Sequence, residues 1–180
     1  MRWLLLALGV ATAGAAAPAA VAGPRLVTSP APLAEQDARP RVFLAGSIDM
    51  GKASDWQAEF VAALADLDVT ILNPRRTDWD PAWKPEASDP QFREQVEWEL
   101  RALEAADVIV LYLAPGTQSP VSLLEMGLHA RSGKLVLLCP PGFWRKGNVD
   151  ITAERYGIRQ VESMPALVAE VRRRVGTAPH

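Results

Sequence analysis

The sequence predicts an α/β protein with a doubly wound, mostly parallel five-stranded sheet and helices on both faces. Two observations support this prediction. Short apolar runs alternate along the chain with segments that have the 3.6-residue spacing of helices. The run Val108–Leu113 is apolar almost throughout, as expected for a strand that is covered on both faces. Strands that alternate with helices pair in parallel through right-handed crossovers, and sites in such sheets lie at the carboxyl ends of the strands.

The individual elements follow from local signals. A predicted third helix has Ser119 as its N-cap, Pro120 at its first position and Gly133 just past its end. A polar loop rich in Trp and Pro runs from Asn73 to about Pro90, and loops of this length are usually functional or disordered. The predicted strands are 42–46, 69–72, 108–113, 135–139 and 158–161, and the predicted helices are 54–67, 91–105, 120–132 and 165–175.

Composition limits the classes of function. The chain has 180 residues, of which 49% are apolar, enough for one domain with a substantial core. The net charge of -2 and the scattered Lys and Arg residues argue against a nucleic acid polymer as partner. One cysteine and two distant histidines make a disulfide or a His-based metal site improbable. Any catalysis is therefore expected to depend on carboxylates, with no metal and no redox cofactor.

The first 40 residues differ from the rest of the chain. Residues 1–22 have basic, apolar and small-residue regions in the order typical of a secretory signal peptide, and the apolar run is too short for a stable membrane anchor. A secreted or periplasmic location is expected if this signal is genuine. The alternative is a disordered leader, or a start codon placed too early, ahead of a cytoplasmic enzyme. Residues 23–40 are predicted as an Ala/Pro-rich linker, and the folded domain as 41–176.

Two predicted helices carry a glutamate within an apolar stripe that has the i, i+3, i+4, i+7 spacing of a buried face. An unpartnered ionised acid in a core is strongly destabilising, so each glutamate is expected either to have a partner at the edge of its stripe, such as Arg101, or to belong to a site. The sequence does not determine whether both reach the same end of the sheet. The stripes are Val96, Glu99, Leu100 and Leu103 in the second helix, and Val121, Leu124, Glu125 and Leu128 in the third.

Two carboxyl groups in a partly dry cleft suit displacement at an anomeric carbon. One ionised acid attacks C1 and holds the sugar covalently, while the other, kept protonated, donates a proton to the leaving group. Their environments must separate the two pKa values. The dipole at the start of the third helix favours an ionised Glu125, whereas desolvation raises the pKa of its carboxyl.

Weaker signals lie near the predicted strand ends. Gly46 and the loop after it could approach a ligand or form a plain turn. The sequence Asn73-Pro-Arg75-Arg76 could bind an anion such as phosphate, or its arginines could form surface ion pairs. Three tryptophans near the long loop could stack on a planar base or pack within a lid. They are Trp79, Trp83 and Trp98.

Several motifs, in order, resemble those of the nucleoside 2-deoxyribosyltransferase-like family. The resemblance covers about residues 41–162 and implies a flavodoxin-like fold and transfer of 2-deoxyribose between nucleobases through a glycosyl-enzyme ester. The motifs are Phe43-Leu-Ala-Gly-Ser-Ile, Asp55-Trp-Gln, Asn73-Pro-Arg-Arg, Asp78-Trp-Asp, Gln95-Val-Glu-Trp-Glu-Leu, Ala106-Asp-Val-Ile, Ser119-Pro-Val-Ser-Leu-Leu-Glu-Met-Gly and Arg145-Lys-Gly-Asn-Val-Asp-Ile.

The resemblance also implies roles for individual residues. Glu125 falls on the family's nucleophile, and Glu99 falls on an acid that contacts the nucleobase and aids its protonation. Ser47 and Asp49 lie where the family's first loop approaches the ligand. Asn148 resembles an asparagine that a neighbouring subunit lends to the 5'-hydroxyl of the sugar, which implies a homo-oligomer.

Two positions depart from the family pattern. A tyrosine that steadies the nucleophile aligns with Phe43, and a base-contacting aspartate aligns with Ser119. The expected function is glycosyl transfer at the N-glycosidic bond of (2'-deoxy)nucleosides, with a nucleoside or nucleotide and a free nucleobase as small-molecule partners. One alternative is a nucleoside or nucleotide N-glycoside hydrolase, motivated by Arg75, Arg76 and the missing aspartate. Another is a non-catalytic nucleoside-binding module.

Overall fold

A computed structural model describes residues 23–48 and 54–176 of the chain. Its six strands form one parallel sheet in the order β1-β3-β2-β4-β5-β6. The predicted α/β class and doubly wound parallel sheet are confirmed, with six strands instead of five. The strands are β1 Arg25–Thr28, β2 Arg41–Gly46, β3 Thr70–Asn73, β4 Val108–Tyr112, β5 Leu135–Leu138 and β6 Arg159–Val161. The helices are α1 Trp56–Ala63, α2 Pro90–Ala105, α3 Pro120–His129, α4 Lys146–Tyr156 and α5 Met164–Gly176.

The additional strand, β1, lies in the segment that the sequence predicted to be a linker. It pairs in parallel with β3, from Arg25 opposite Thr70 to Thr28 opposite Asn73. The segment after it also packs on the domain, where Leu33 contacts the core. The linker prediction is wrong here, because a four-residue edge strand flanked by prolines is too short to show an alternating pattern. The predicted signal peptide, residues 1–22, lies outside the described residues.

The core has one layer on each face of the sheet. One layer packs α1 and α5 against the sheet, with Trp56, Phe60 and Leu167 among its buried side chains. The other packs α2, α3 and α4, with Trp98 and Met126 buried in it. None of the helices in the described ranges is long and apolar enough to span a membrane. Because β3 and β4 flank β2 on opposite sides, the winding reverses between β2 and β4, and the crevice at their carboxyl ends is where a ligand is expected.

The apolar stripes of α2 and α3 do not face the core as predicted. On α3 the exposed fractions of Val121, Leu124 and Leu128 are 57%, 62% and 58%, whereas Glu125 is only 7% exposed. Spacing alone did not identify the buried side, because a second set of α3 positions has the same periodicity. The buried members of that set are Ser122, Glu125 and Met126. On α2 the buried residues are Gln95, Trp98, Ala102 and Leu103, while Val96 and Leu100 are exposed.

Helix α4 was not predicted from the sequence. Only Val149 and Ala153 are buried along its length, so its apolar stripe is too thin to stand out from a polar loop. It ends at Gly157, whose φ of 67° is in the left-handed region that favours glycine. The helix carries Asn148, which is therefore presented from a regular element and not from a loop.

Candidate active site

The site begins where β2 ends against β4. Gly46 lies opposite Tyr112 in the register, and its φ of 139° is in the region that favours glycine. A side chain at this position would collide with the backbone of Tyr112. The next residue, Ser47, donates its backbone N–H to the Tyr112 carbonyl at 2.9 Å. Glycine therefore lets the chain turn at the switch point while staying against β4.

Three hydroxyl groups meet at this turn. The Ser47 hydroxyl lies 2.8 Å from that of Thr117 and 2.6 Å from that of Ser119, and it accepts the backbone N–H of Ala114 at 2.9 Å. Ser119 occupies the predicted N-cap position, but its side chain does not cap α3, and its φ of 45° is left-handed. The capping prediction is wrong in this respect, because the hydroxyl bonds to the cluster instead. The cluster fixes the loop from which α3, and with it Glu125, departs.

Glu125 is buried on the side of α3 that faces the protein. Burial raises the pKa of its carboxyl from 4.5 to about 8, and the negative charge of Glu99 adds to the shift. Among the described residues, no arginine or lysine forms an ion pair with it. Desolvation therefore outweighs the helix dipole, and burial favours the neutral form of this acid.

Glu99 lies on α2 within electrostatic reach of Glu125. Burial raises the pKa of its carboxyl from 4.5 to about 6, while a hydrogen bond from the Gln95 amide, 2.8 Å long, opposes the shift. Arg101, its candidate partner from the sequence, pairs with Glu97 instead, at 3.9 Å. The structure thus places the two acids close enough for their charges to interact, which the sequence left open.

Two interacting carboxyl groups titrate as a pair. With pKa values of about 6 and about 8, the pair holds roughly one proton near neutral pH. It can therefore supply a carboxylate and a carboxylic acid together, the combination that displacement at an anomeric carbon requires. No group of three or more His, Cys, Asp or Glu side chains in the described ranges is placed to hold a metal ion.

The Asn73-Pro-Arg75-Arg76 segment is braced within the protein. The Asn73 side chain accepts the backbone N–H of Arg75 at 3.0 Å. The Arg75 guanidinium donates to the Ser54 carbonyl, 3.3 Å away, at the start of α1. Arg76 makes two hydrogen bonds to Asp78, of 2.7 and 2.8 Å. Both arginines therefore hold the loop after β3 in place at the edge of the crevice.

The three tryptophans predicted to cluster fall into two groups. The rings of Trp79 and Trp83 meet edge to face with centroids 5.0 Å apart, and the Arg76 guanidinium lies 4.7 Å from the Trp83 ring centroid. Trp98 is separate, since it is buried in the core beside Phe43, and its indole N–H donates to a backbone carbonyl. The prediction that three tryptophans cluster is therefore wrong for Trp98. Of the other two, the partly exposed Trp79 is able to stack on a ligand.

Asn148 does not line the same cavity as the acid pair. It borders a groove of about 360 Å³ between α3 and α4, together with Met126 and Trp144. Neither Glu99 nor Glu125 lines this groove. Asn148 and the two acids therefore do not share this groove.

The site also includes three residues that the sequence did not predict, and one predicted residue cannot be placed. Asp49 lies outside the described residues. Gln95 was not predicted, although its position four residues before Glu99 on one helix was a usable signal. Thr117 was also missed, and so was Ser29, whose hydroxyl donates to Gln95 at 2.5 Å. Ser29 gave no signal, because its segment was interpreted as a linker.

The fold and the site together define a flavodoxin-like α/β protein with two interacting carboxyl groups, that of the buried Glu125 and that of the half-buried Glu99. The family model described as nucleoside 2-deoxyribosyltransferase like matches residues 39–143, a range that includes both acids. The chain belongs to this family, whose name supports nucleoside glycosyl transfer as the general class of activity.

Comparison with solved structures supports the fold. The chain is similar to a conserved protein from Enterococcus faecalis V583, whose crystal structure gives a TM-score of 0.55 at 18% identity. The match covers 76% of this chain and 99% of that chain. At this identity the similarity concerns the fold alone. The comparison with curated proteins found no match.

Proposed function

We propose that this protein is an enzyme that transfers the glycosyl group of (2'-deoxy)nucleosides through a covalent ester on Glu125. The observation that carries the proposal is the pair of the buried Glu125 and the half-buried Glu99, whose carboxyl pKa values are both raised by burial and whose charges interact. Buried acids without a cationic partner are destabilising, and they cluster at functional sites. In this proposal Glu125 is the nucleophile and Glu99 is the acid that protonates the departing base.

The reaction has two displacements. In the first, a Glu125 oxygen attacks C1', the bond from C1' to the base nitrogen breaks, and its electron pair stays with the base, which takes a proton from Glu99. In the second, an acceptor base attacks C1', the ester bond breaks, and the Glu125 carboxylate is restored. Glu99 recovers a proton from the acceptor in this step. Water in place of the acceptor gives hydrolysis.

The pair carries the one proton that this sequence needs, but the higher pKa of Glu125 places that proton on Glu125 before substrate binds, so binding must move it to Glu99. At neutral pH the two carboxyl groups share about one proton, and the productive arrangement has it on Glu99. A bound nucleobase that accepts a hydrogen bond favours neutral Glu99. Positive charge that develops on the sugar favours ionised Glu125. The substrate itself therefore stabilises the reactive form of the pair.

The remaining candidate residues are proposed as substrate contacts. The Ser119 hydroxyl lies beside the start of α3, where it can bind a sugar hydroxyl, and the buried Ser47 hydroxyl holds it in place. Trp79 offers a partly exposed ring for stacking on the base. Four further positions are proposed to shape the crevice around the ligand. They are Gly46, Asp49, Asn73 and Arg75.

We further propose that the protein works as a homo-oligomer. Asn148 borders a groove that neither acid lines, which agrees with the proposal that a neighbouring copy supplies the asparagine. The exposed apolar residues of α3 offer a surface for that copy. No nucleic acid polymer is proposed as a partner, because the charge is scattered and the net charge is -2.

The decisive experiment detects the glycosyl-enzyme. Wild-type protein is incubated with a slow 2-fluoro sugar nucleoside, and its intact mass is measured. We expect the mass of one fluorosugar to be added to wild type and not to Glu125→Gln, because the amide is not a competent nucleophile. The matched control, Glu154→Gln on the exposed face of α4, keeps both adduct and activity. Turnover without an adduct, together with full activity of Glu125→Gln, would refute the assignment.

Two alternative functions have distinct readouts. Hydrolysis of a nucleoside or nucleotide is motivated by Ser119, which stands where the family pattern has a base-contacting aspartate. Product analysis with and without an added acceptor base separates it from transfer, because only transfer yields a new nucleoside. A non-catalytic binding module would show tight nucleoside binding by calorimetry and no turnover across a broad substrate panel.

A further inference from the structure

The side chain of Gln95 is held at both ends of its amide. Gln95 is buried on α2, one turn before Glu99. Its oxygen accepts the Ser29 hydroxyl at 2.5 Å and an Arg76 N–H at 3.5 Å. Its nitrogen donates to the Pro74 carbonyl at 3.0 Å and to Oε1 of Glu99 at 2.8 Å. The amide thus has four partners on three different parts of the chain.

These partners define which way the amide points. If it were rotated by 180°, its oxygen would face the Pro74 carbonyl and the Glu99 carboxyl, and its nitrogen would face the Arg76 guanidinium. The amide oxygen would then face two other acceptor oxygens, and the amide N–H would face the N–H groups of the guanidinium, so these hydrogen bonds would be lost. The observed orientation presents an N–H to Glu99, and Arg76 and Ser29 hold it there.

We propose that Gln95 is a positioning residue that fixes the Glu99 carboxyl and directs its acidic proton to Oε2. The reason is that Oε1 already accepts an N–H, and a proton on Oε1 would compete with that hydrogen for the same lone-pair region. The free Oε2 is then the atom that delivers the proton to the leaving base. This inference rests on the proposed function only for its consequence in turnover.

The groups around Glu99 determine how its titration responds. Among the described residues, Glu125 faces it from α3, and its charge disfavours a second negative charge. The Arg76 and Asp78 ion pair, in the loop after β3, reaches Glu99 only through Gln95. The Gln95 N–H is the described contact that favours the ionised form of Glu99, because it lowers the pKa of that carboxyl.

The test replaces Gln95 by leucine and measures titration directly. Wild type and Gln95→Leu are labelled with ¹³C at glutamate carboxyl carbons, and the Glu99 signal is assigned by its loss in Glu99→Gln. We expect the pKa of Glu99 to be higher in Gln95→Leu than in wild type. An unchanged pKa in a folded variant would overturn the proposal. If the leucine variant does not fold, Gln95→Met, which has a longer unbranched side chain, serves in its place.

Turnover gives the second readout. We expect kcat of Gln95→Leu to fall roughly 10- to 100-fold with KM little changed, because the variant loses the hydrogen bond to the negative charge that develops on Glu99 as it gives up its proton. Neutral Glu99 is the active form in the substrate complex. A higher pKa of Glu99 therefore moves the alkaline limb of the pH profile of kcat to higher pH. A purely structural defect would lower kcat without moving that limb, and such a result would also overturn the proposal.

Two controls isolate the contact. Ser29→Ala removes a bond to the amide oxygen but leaves the N–H on Glu99, so the alkaline limb should stay in place. Gln91→Leu makes the same substitution at an exposed position of α2 and should behave as wild type. A shifted Glu99 pKa without any turnover would uphold the role of Gln95 and refute the proposed function. Turnover with an unshifted pKa of Glu99 would refute the role of Gln95 and leave the proposed function standing.

Discussion

At the scale of single residues, the burial of Glu125 lowers the stability of the folded protein near neutral pH. In the unfolded chain its carboxyl has the ordinary pKa of 4.5, and in the folded protein burial and Glu99 raise the pKa to about 8. Between these two pH values the unfolded chain releases a proton that the folded protein retains. The free energy of unfolding therefore falls as the pH rises from about 4.5 to about 8, and the loss is complete above that window.

Glu125→Gln removes this ionisation while keeping the size of the side chain. We expect the variant to be more stable than wild type at pH 8 by an amount on the order of a few kcal/mol, and to differ little at pH 4.5. Thermal unfolding followed by circular dichroism across that pH range measures the difference. Glu154→Gln is the control, because this exposed glutamate of α4 should change stability little at either pH. A difference that does not grow with pH would contradict the burial argument.

At the scale of elements, the sequence predicted those whose apolar residues are concentrated. Strands such as β4 are nearly all apolar, and in long helices such as α2 the apolar residues recur at regular spacing. Both elements were therefore predicted close to their observed bounds. The short edge strand β1 and the polar helix α4 bury too few side chains to give a pattern.

The acids could be found from sequence, but most of their surroundings could not. Glu99 and Glu125 stood out because each interrupts an apolar spacing. Spacing does not say which side of a helix meets the sheet, so the buried sides of α2 and α3 were assigned incorrectly. Contacts such as that of Ser29 with Gln95 join residues 66 positions apart, and a single sequence does not indicate such a pairing.

The misassigned side of α3 yields a prediction at the same scale. Val121, Leu124 and Leu128 form an apolar surface, and we expect a second copy of the chain to cover it. Charges at the centre of such an interface are strongly unfavourable. We therefore expect wild type to be an oligomer, and Leu124→Glu combined with Leu128→Glu to give a folded monomer. Size-exclusion chromatography with light scattering measures both masses.

Two outcomes would contradict the prediction of an oligomer. One is a monomeric wild type at every concentration tested, and the other is an unchanged mass in the double variant. Leu26→Glu is the matched control, because it places the same charge on an exposed leucine of β1, in a different part of the protein, and should leave the mass unchanged.

At the scale of the whole molecule, the segment after Gly23 belongs to the folded domain. The predicted export signal ends at residue 22, and β1 begins at Arg25, so cleavage near Gly23 would leave β1 and Ser29 on the mature protein. The sequence placed the start of the domain at Arg41. A chain that begins there would lose the β1 pairing, the buried Val27 and the Ser29 contact to Gln95.

Two shortened chains therefore differ in a predictable way. A chain that begins at Gly23 should unfold at the temperature of the full-length protein and keep its turnover. A chain that begins at Arg41 should be less stable by roughly 3 to 6 kcal/mol, because Val27 and Leu33 no longer cover the core, with a corresponding fall in Tm. Its kcat should fall as well, because Gln95 loses the hydroxyl that helps to hold its amide. Equal Tm values for the two chains would show that the segment contributes nothing to the fold. An N-terminus of the exported protein at or beyond residue 30, found by mass spectrometry, would show that the mature enzyme works without β1 and Ser29.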